Sequence, residues 1–341
     1  MSAHWHFRSA LLALLALLAS SALTSASAAD DANYSAGLPT YRSTVSEVRI
    51  TFFATDENNH ALETLTKADF AVVDNELVVR NFRSFTHSDE TALDIVALVD
   101  LSESVAPRLR VAMNAVLQLV AREQSIPSDN IAVLSFGGTN EGNFEGTSGG
   151  IRPAILCSSG CGASGSVGRL LAVRSGGTTP LFDALIFAAD FIAHHRRAGA
   201  RPVIILFSDG NDTISLHSSR DALQALLDGD ALIYSVDMGT SGNHASNRAS
   251  SYASDETPGS AFLRQVSEAT GGRYFSFSSS QQDGAAAVLD AVLDDLRASY
   301  VVSYDLPNHR DGFHALRLLP THNLNLTFHS RNGYFYEPSG H

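Results

Sequence analysis

Cysteine is nearly missing from this 341-residue chain: there are two, Cys157 and Cys161, beside one tryptophan and three methionines. Read as half a zinc site, the CxxxC pair finds no further cysteine to complete it. Positive charge is scarce too. Lysine and arginine together number 23 against 36 acids, a formal net charge of −13. A surface this acidic lacks the basic face that nucleic-acid binding needs; it fits a solvated exterior and, weakly, cation binding. After the first residues no stretch reaches the roughly 18 uninterrupted apolar residues of a membrane-spanning helix. There is no Gly-x-Ser-x-Gly elbow, no Walker loop and no dinucleotide fingerprint, so three common enzyme classes leave no local signature.

What is present begins at the amino terminus. His4, His6 and Arg8 precede the apolar run Ala10 to Ala19, and Ala26-Ser27-Ala28 offers a small-residue cleavage site. That is the form of a secretory signal peptide over residues 1–28, the alternative being an uncleaved anchor. Its removal takes one arginine and no acid, bringing the charge to about −14. The expectation is an exported protein, periplasmic or extracellular. In such a compartment the close cysteine pair is expected as a Cys157–Cys161 disulfide, which ties down a loop tip and adds little global stability.

Residues 29–44 are small and polar and read as a linker. The segment 45–86 then alternates, with Val48, Ile50 and Phe52 on one face, and continues through short runs at Ala71–Val73 and Leu77–Phe82. From residue 93 to 299 the pattern changes. Ile95–Val99, Ile131–Phe136, Val203–Phe207 and Ala231–Val236 are apolar runs too short for helices, suited to strands buried on both faces. Between them lie helical stripes, among them Val105, Leu109, Ala112, Val116 and Leu119, and Leu181 to Arg196. This alternation predicts an α/β fold with a doubly wound, mostly parallel sheet. The tail, 300–341, returns to strand signals and is expected to pack with 45–86 as a small β-rich module from both chain ends. Between Gly137 and Gly168, ten glycines in 32 residues make a long irregular region, with an edge strand expected at Ile151–Leu156.

In a doubly wound sheet, ligands collect outside the carboxyl ends of the strands. Three oxygen-bearing segments arrive there: Asp100-Leu-Ser-Glu-Ser104, Gly176-Gly-Thr-Thr179 and Ser208-Asp209-Gly210. Each alone has an ordinary reading, a helix cap in the first case and a turn in the other two. Their order, each at a strand end or helix start of one sheet, points instead to a hard-cation site for Mg²⁺, or Mn²⁺ or Ca²⁺, rather than zinc or copper.

These residues resemble a von Willebrand factor type A domain with its metal-ion-dependent adhesion site. The match runs through Asp100, Ser102 and Ser104, then Thr179 before Pro180-Leu-Phe-Asp-Ala-Leu185, then Asp209 in Ile205-Leu-Phe-Ser-Asp-Gly-Asn-Asp212; Thr178 is the fallback for the threonine. The flanks, Leu65–Phe70, Val78–Phe85, Tyr300–Tyr304 and Arg331–Phe335, are similar to those of the secreted acidobacterial type A-related proteins. The Gly-rich region 137–168 with its cysteines departs from that pattern. The resemblance implies that Asp100, Ser102, Ser104, Thr179 and Asp209 hold the ion, directly or through water. It implies a non-enzymatic binding or adhesion protein, whose partner supplies an acidic residue to the metal. The alternatives are a metal-assisted hydrolase using the same ion, or a structural scaffold of a cell-envelope complex.

Smaller features carry smaller expectations. His194-His195 reads as exposed residues at a helix carboxyl end. Asp294-Asp295 reads as a solvated helix face, and Phe144 as either a partner contact or part of a small satellite cluster.

Overall fold

The computed structural model describes residues 47–88, 91–123, 129–137, 151–239, 257–276, 284–306 and 310–336. The signal peptide, the linker, and residues 138–150 of the Gly-rich region, Phe144 among them, therefore lie outside the described residues. In chain order the first elements are β1 (Glu47–Thr55), β2 (Phe70–Asp74), β3 (Leu77–Val78), β4 (Ser84–His87) and β5 (Leu93–Asp100). A 3₁₀ turn, Glu103–Arg108, leads into α1 (Leu109–Glu123), followed by β6 (Asn130–Phe136) and β7 (Ala154–Cys157). Then come α2 (Ser164–Ala172), α3 (Leu181–His195), β8 (Arg201–Ser208), α4 (Ser219–Asp228), β9 (Leu232–Asp237), α5 (Pro258–Thr270), β10 (Tyr274–Ser276) and α6 (Gly284–Arg297). The chain closes with β11 (Tyr300–Asp305), β12 (Gly312–Pro320), β13 (Thr327–Ser330) and β14 (Gly333–Tyr336).

The central sheet has the order β10-β9-β8-β5-β6-β7, parallel except for the edge strand β7. Side chains alternate across a strand, so β5 feeds two cores. Ile95, Ala97 and Val99 join Val116 of α1 and Val292 of α6 on one face. Val96 and Leu98 join Leu185 of α3 and Leu226 of α4 on the other. Each such fully buried aliphatic side chain contributes on the order of 1.5–3 kcal/mol over its exposed state. This is the doubly wound arrangement, and its strand order reverses between β5 and β8.

Both chain ends build a β-rich unit. One antiparallel sheet runs β13-β1-β11-β4, so β1 lies between two strands from the far end of the sequence. A second runs β14-β12-β2-β3. The two share one core, in which Val48, Ile50 and Phe52 meet Tyr300, Val302, Leu316 and Tyr334.

Four expectations change in detail. The helix stripe from Val105 begins as a 3₁₀ turn because Pro107 cannot donate a backbone hydrogen bond; α-helix starts at Leu109. Within the supposedly irregular stretch, Ser164–Ala172 forms α2, anchored by the fully buried Leu170 despite Gly165 and Gly168. The strand expected over Leu77–Phe82 stops at Val78, because the chain crosses to the other sheet and re-enters at Ser84 beside β11. Asp295 is not solvated: it is 1% exposed and pairs with Arg273 at 3.1 Å. His194 and His195 are exposed at the end of α3, each with Nδ1 2.8 Å from the carbonyl four residues back. The Cys157–Cys161 disulfide is present, joining the end of β7 to the approach to α2. Among the described residues no helix is long and apolar enough to cross a membrane.

Candidate metal centre

Strand β5 delivers Asp100, 2% exposed, to the carboxyl edge of the sheet. Its Oδ1 accepts the Ser102 amide at 2.8 Å, and its Oδ2 accepts the Ser208 hydroxyl at 2.7 Å. These two bonds stitch the end of β5 to the end of β8 across the reversal in strand order, the place where such sheets bind ligands. Ser102, also buried, has its hydroxyl 3.1 Å from that of Ser104, which is exposed. Burial pushes the Asp100 carboxyl up to about 6; the bonds from Ser102 and Ser208 oppose the rise and the nearby Asp209 adds to it. Neither Asp100 nor Asp209 forms an ion pair with a basic side chain among the described residues.

The threonine loop comes from the far side. Thr179 is 4% exposed, whereas Thr178 is exposed. The Thr179 amide donates to the Thr213 hydroxyl oxygen at 2.8 Å, and the Thr179 carbonyl accepts the Thr213 amide at 2.8 Å. The Thr179 hydroxyl itself makes no hydrogen bond among the described residues. Asp183, in the first turn of α3, fastens the surrounding loops by accepting the amides of Ile151, Leu216 and His217.

Two glycines let the segments approach. Gly137 has φ +68°, and a Cβ there would lie 2.8 Å from the Thr178 carbonyl oxygen and 3.0 Å from the Ser102 nitrogen. The first and second donor segments therefore meet across a residue that must lack a side chain. The Gly176 amide donates to the Leu101 carbonyl at 2.8 Å, a second tie between them. Gly210, with φ +77°, plays the same part after β8: its Cβ would strike the Gly259 carbonyl at 2.2 Å. Asp209 is 5% exposed; its Oδ1 accepts the Asn211 amide at 3.0 Å, and its other oxygen has no hydrogen bond among the described residues.

Asp100, Ser102, Ser104, Thr179 and Asp209 thus stand on three segments tied to one another at one edge of the sheet. Two further residues matter that the sequence reading left out of the ligand set. Ser208 holds Asp100 in place. Asp237, 6% exposed, ends β9 next to Asp209 and accepts the Gly239 amide at 2.7 Å and the Tyr274 hydroxyl at 2.7 Å. The signal for Asp237 was available, since it follows the same rule of a buried apolar strand ending in a carboxylate. Its oxygens are spent on the protein, however. Burial, then the bond to Asp237, pushes the Tyr274 phenol up to about 12.

No group of three or more His, Cys, Asp or Glu side chains gathers among the described residues. The donor set is two carboxylates plus hydroxyls, with Thr179 and one oxygen of Asp209 left over. Such a set fits a hard divalent cation and not zinc or copper.

A doubly wound sheet with oxygen donors clustered at its strand-order reversal defines a recognisable class of α/β binding domain. The chain belongs to the von Willebrand factor type A domain family, whose model matches residues 94–274, more than half of the sequence. Membership implies a part in protein interaction or adhesion. No curated protein sequence matches the chain. Among solved structures, an aerotolerance-related membrane protein from Bacteroides fragilis shares 14% identity and a TM-score of 0.38, covering 59% of this chain and 98% of its own. BatB from Bacteroides thetaiotaomicron is 15% identical at TM-score 0.38 with the same coverage. Proximal thread matrix protein 1 from the mussel byssus is 15% identical at TM-score 0.40, covering 65% of this chain and 50% of its own. Scores of this size bear no weight for function, and the assignment rests on the family match.

Proposed function

We propose that this is an exported, non-enzymatic binding protein that captures an acidic side chain of a protein partner through a divalent cation. Asp100, Ser102, Ser104, Thr179 and Asp209 are the residues that would hold Mg²⁺, or Mn²⁺ or Ca²⁺. The observation that carries the reading is that, among the described residues, the Thr179 hydroxyl and one Asp209 oxygen are uncommitted beside a buried Asp100 that no basic side chain neutralises. A bound cation supplies positive charge and vacant coordination for an anionic oxygen from outside.

The chain's own residues set the geometry. Ser208 and the Ser102 amide fix both oxygens of Asp100. Thr213 fixes the backbone of Thr179, and Gly137 lets the two loops close on each other. Neutral hydroxyls beside only two carboxylates leave the cation short of negative charge, which favours an acidic group from a partner over another water. A hydrolytic role needs a free general base; Asp100, the carboxylate that accepts the Ser208 hydroxyl at 2.7 Å, would on this reading be committed to the cation.

Calorimetric titration of Mg²⁺ and Mn²⁺ into the mature protein and its Asp100→Ala variant tests the metal. Binding to the first and not the second is expected; equal, negligible heats for both would refute it. Capture of a cell-envelope protein that a chelator releases is expected next, and chelator-insensitive capture would count against a metal-bridged contact.

A further inference from the structure

The opposite edge of the central sheet carries the reverse chemistry. Where the strands begin, a cavity of about 490 Å³ opens between the type A domain and the flanking strands, within the size range of small-molecule sites. Among the described residues five arginines line it, Arg49, Arg196, Arg197, Arg201 and Arg331, against one acid, Asp230. That concentration of positive charge stands out in a chain whose net charge is −13.

The arginines differ in how far they are committed. Arg197 is spent, with its Nε 2.7 Å from Asp94. Arg201, the first residue of β8, is 5% exposed; it donates to the Leu296 carbonyl at 2.9 Å and to Ser88, and no carboxylate pairs with it among the described residues. A buried guanidinium held only by neutral acceptors is costly, and an anion in the adjoining space relieves that cost. Arg331 reaches Asp230 at 3.0 Å and the Arg49 carbonyl at 2.7 Å, yet its Nε is buried with no partner among the described residues. Arg196 uses its Nε on the Ala200 carbonyl and leaves its terminal nitrogens uncommitted among the described residues. The Arg49 guanidinium makes no hydrogen bond or ion pair among the described residues.

We propose that this cavity binds a compact, multiply charged oxyanion, with Arg49, Arg196 and Arg331 supplying donors and Arg201 the buried charge. Planar guanidinium forks match phosphate and carboxylate oxygens alike. The ligand is thus a small polyphosphate or polycarboxylate, taken at a site separate from the cation centre. Strand β8 spans the two, Arg201 at one end and Ser208 at the other, roughly 23 Å apart at the usual strand rise. The proposal does not depend on the metal reading.

The test is calorimetry on the mature chain stripped of metal over a chelating resin, with inorganic pyrophosphate and citrate titrated separately in metal-free buffer. One-site binding of at least one of them is expected, weakening tenfold or more in the double variant Arg49→Ala/Arg196→Gln. Both substitutions fall at exposed positions, so a circular dichroism spectrum matching the parent is expected; Arg331→Lys, which keeps the charge but loses the fork, should weaken binding by a smaller factor. Pyrophosphate alone would assign phosphoryl oxygens, citrate alone carboxylates, and either supports the site. Absence of binding by both, or binding indifferent to the double variant, would overturn it.

Discussion

Asp74 and Asp100 are both buried aspartates at strand ends, one in the β-rich unit and one in the type A domain, yet their oxygens are used in opposite ways. Asp74 is consumed by the fold: its Oδ2 accepts the Tyr304 hydroxyl at 2.9 Å and the Tyr334 hydroxyl at 2.8 Å, while its Oδ1 faces His314 Nδ1 at 3.3 Å. Those partners come from β11, β14 and β12, so one carboxylate from the amino-terminal segment clasps three strands of the tail. Burial, with the charge of Asp74 beside them, pushes both phenols well above their ordinary value, which keeps them as donors. Asp100 is held just as firmly, but its neighbours Thr179 and Asp209 keep donors unspent. A buried polar cluster that is fully satisfied specifies structure, and one with oxygens left over calls for a further explanation, which the proposed cation supplies.

The sharpest way to break this contrast is Asp74→Ala. It strands two buried phenols and His314, and a loss of about 3–5 kcal/mol is expected in urea unfolding, with or without Mg²⁺. Asp100→Asn should cost less than about 1 kcal/mol in chelator, because asparagine still offers an acceptor and one of two neighbouring buried acids is gone. If the two substitutions cost the same, the division into structural and ligand-directed aspartates fails.

Gly137→Ala probes the close approach of the two donor segments. Alanine at φ +68° is strained, and its Cβ meets backbone atoms of both loops. A stability loss of about 1–3 kcal/mol is expected together with loss of Mg²⁺ binding. Unaltered Mg²⁺ affinity in this variant would show that the segments need not touch.

Much of this was legible in the sequence because β5, β6, β8 and β9 are buried on both faces, and continuous apolar runs leave little ambiguity. The donor segments were legible for the same reason, since each follows such a run or opens a helix. What escaped depended on contacts distant in sequence. The Ser208–Asp100 bond spans 108 positions, and the Asp74 clasp joins residues 230 to 260 apart. The inward turn of Asp295 was hidden because its partner Arg273 lies on another element. No local pattern encodes such pairings.

Asp295 falls between the two extremes. Its Oδ1 is paired with Arg273, while its Oδ2 is buried without a partner among the described residues. Burial raises its pKa to about 7, Arg273 pulling the other way and Asp294 adding to the rise. A carboxyl raised above its unfolded value of 3.8 binds the proton more tightly when folded, so its stabilising effect is full below about pH 4 and fades as pH climbs through 7. Relative to Asp295→Asn, the parent should therefore lose about 1 kcal/mol between pH 6 and pH 8, measured as a difference in urea midpoints. A difference that stays flat across that window would mean the Arg273 pairing dominates.

The smallest expected effect on stability belongs to Ser104. Ser104 is exposed and among the described residues its hydroxyl bonds only that of Ser102, so Ser104→Ala should change unfolding free energy by less than about 0.5 kcal/mol in chelator. If that hydroxyl is a ligand, the same substitution should weaken Mg²⁺ binding about tenfold, close to 1.4 kcal/mol. The pairing of a negligible structural cost with a clear binding cost is the mirror image of Asp74→Ala, where the fold suffers and the cation plays no part. Unchanged Mg²⁺ affinity would remove Ser104 from the ligand set and leave Asp100, Ser102, Thr179 and Asp209 to hold the ion, with one more position open to the partner.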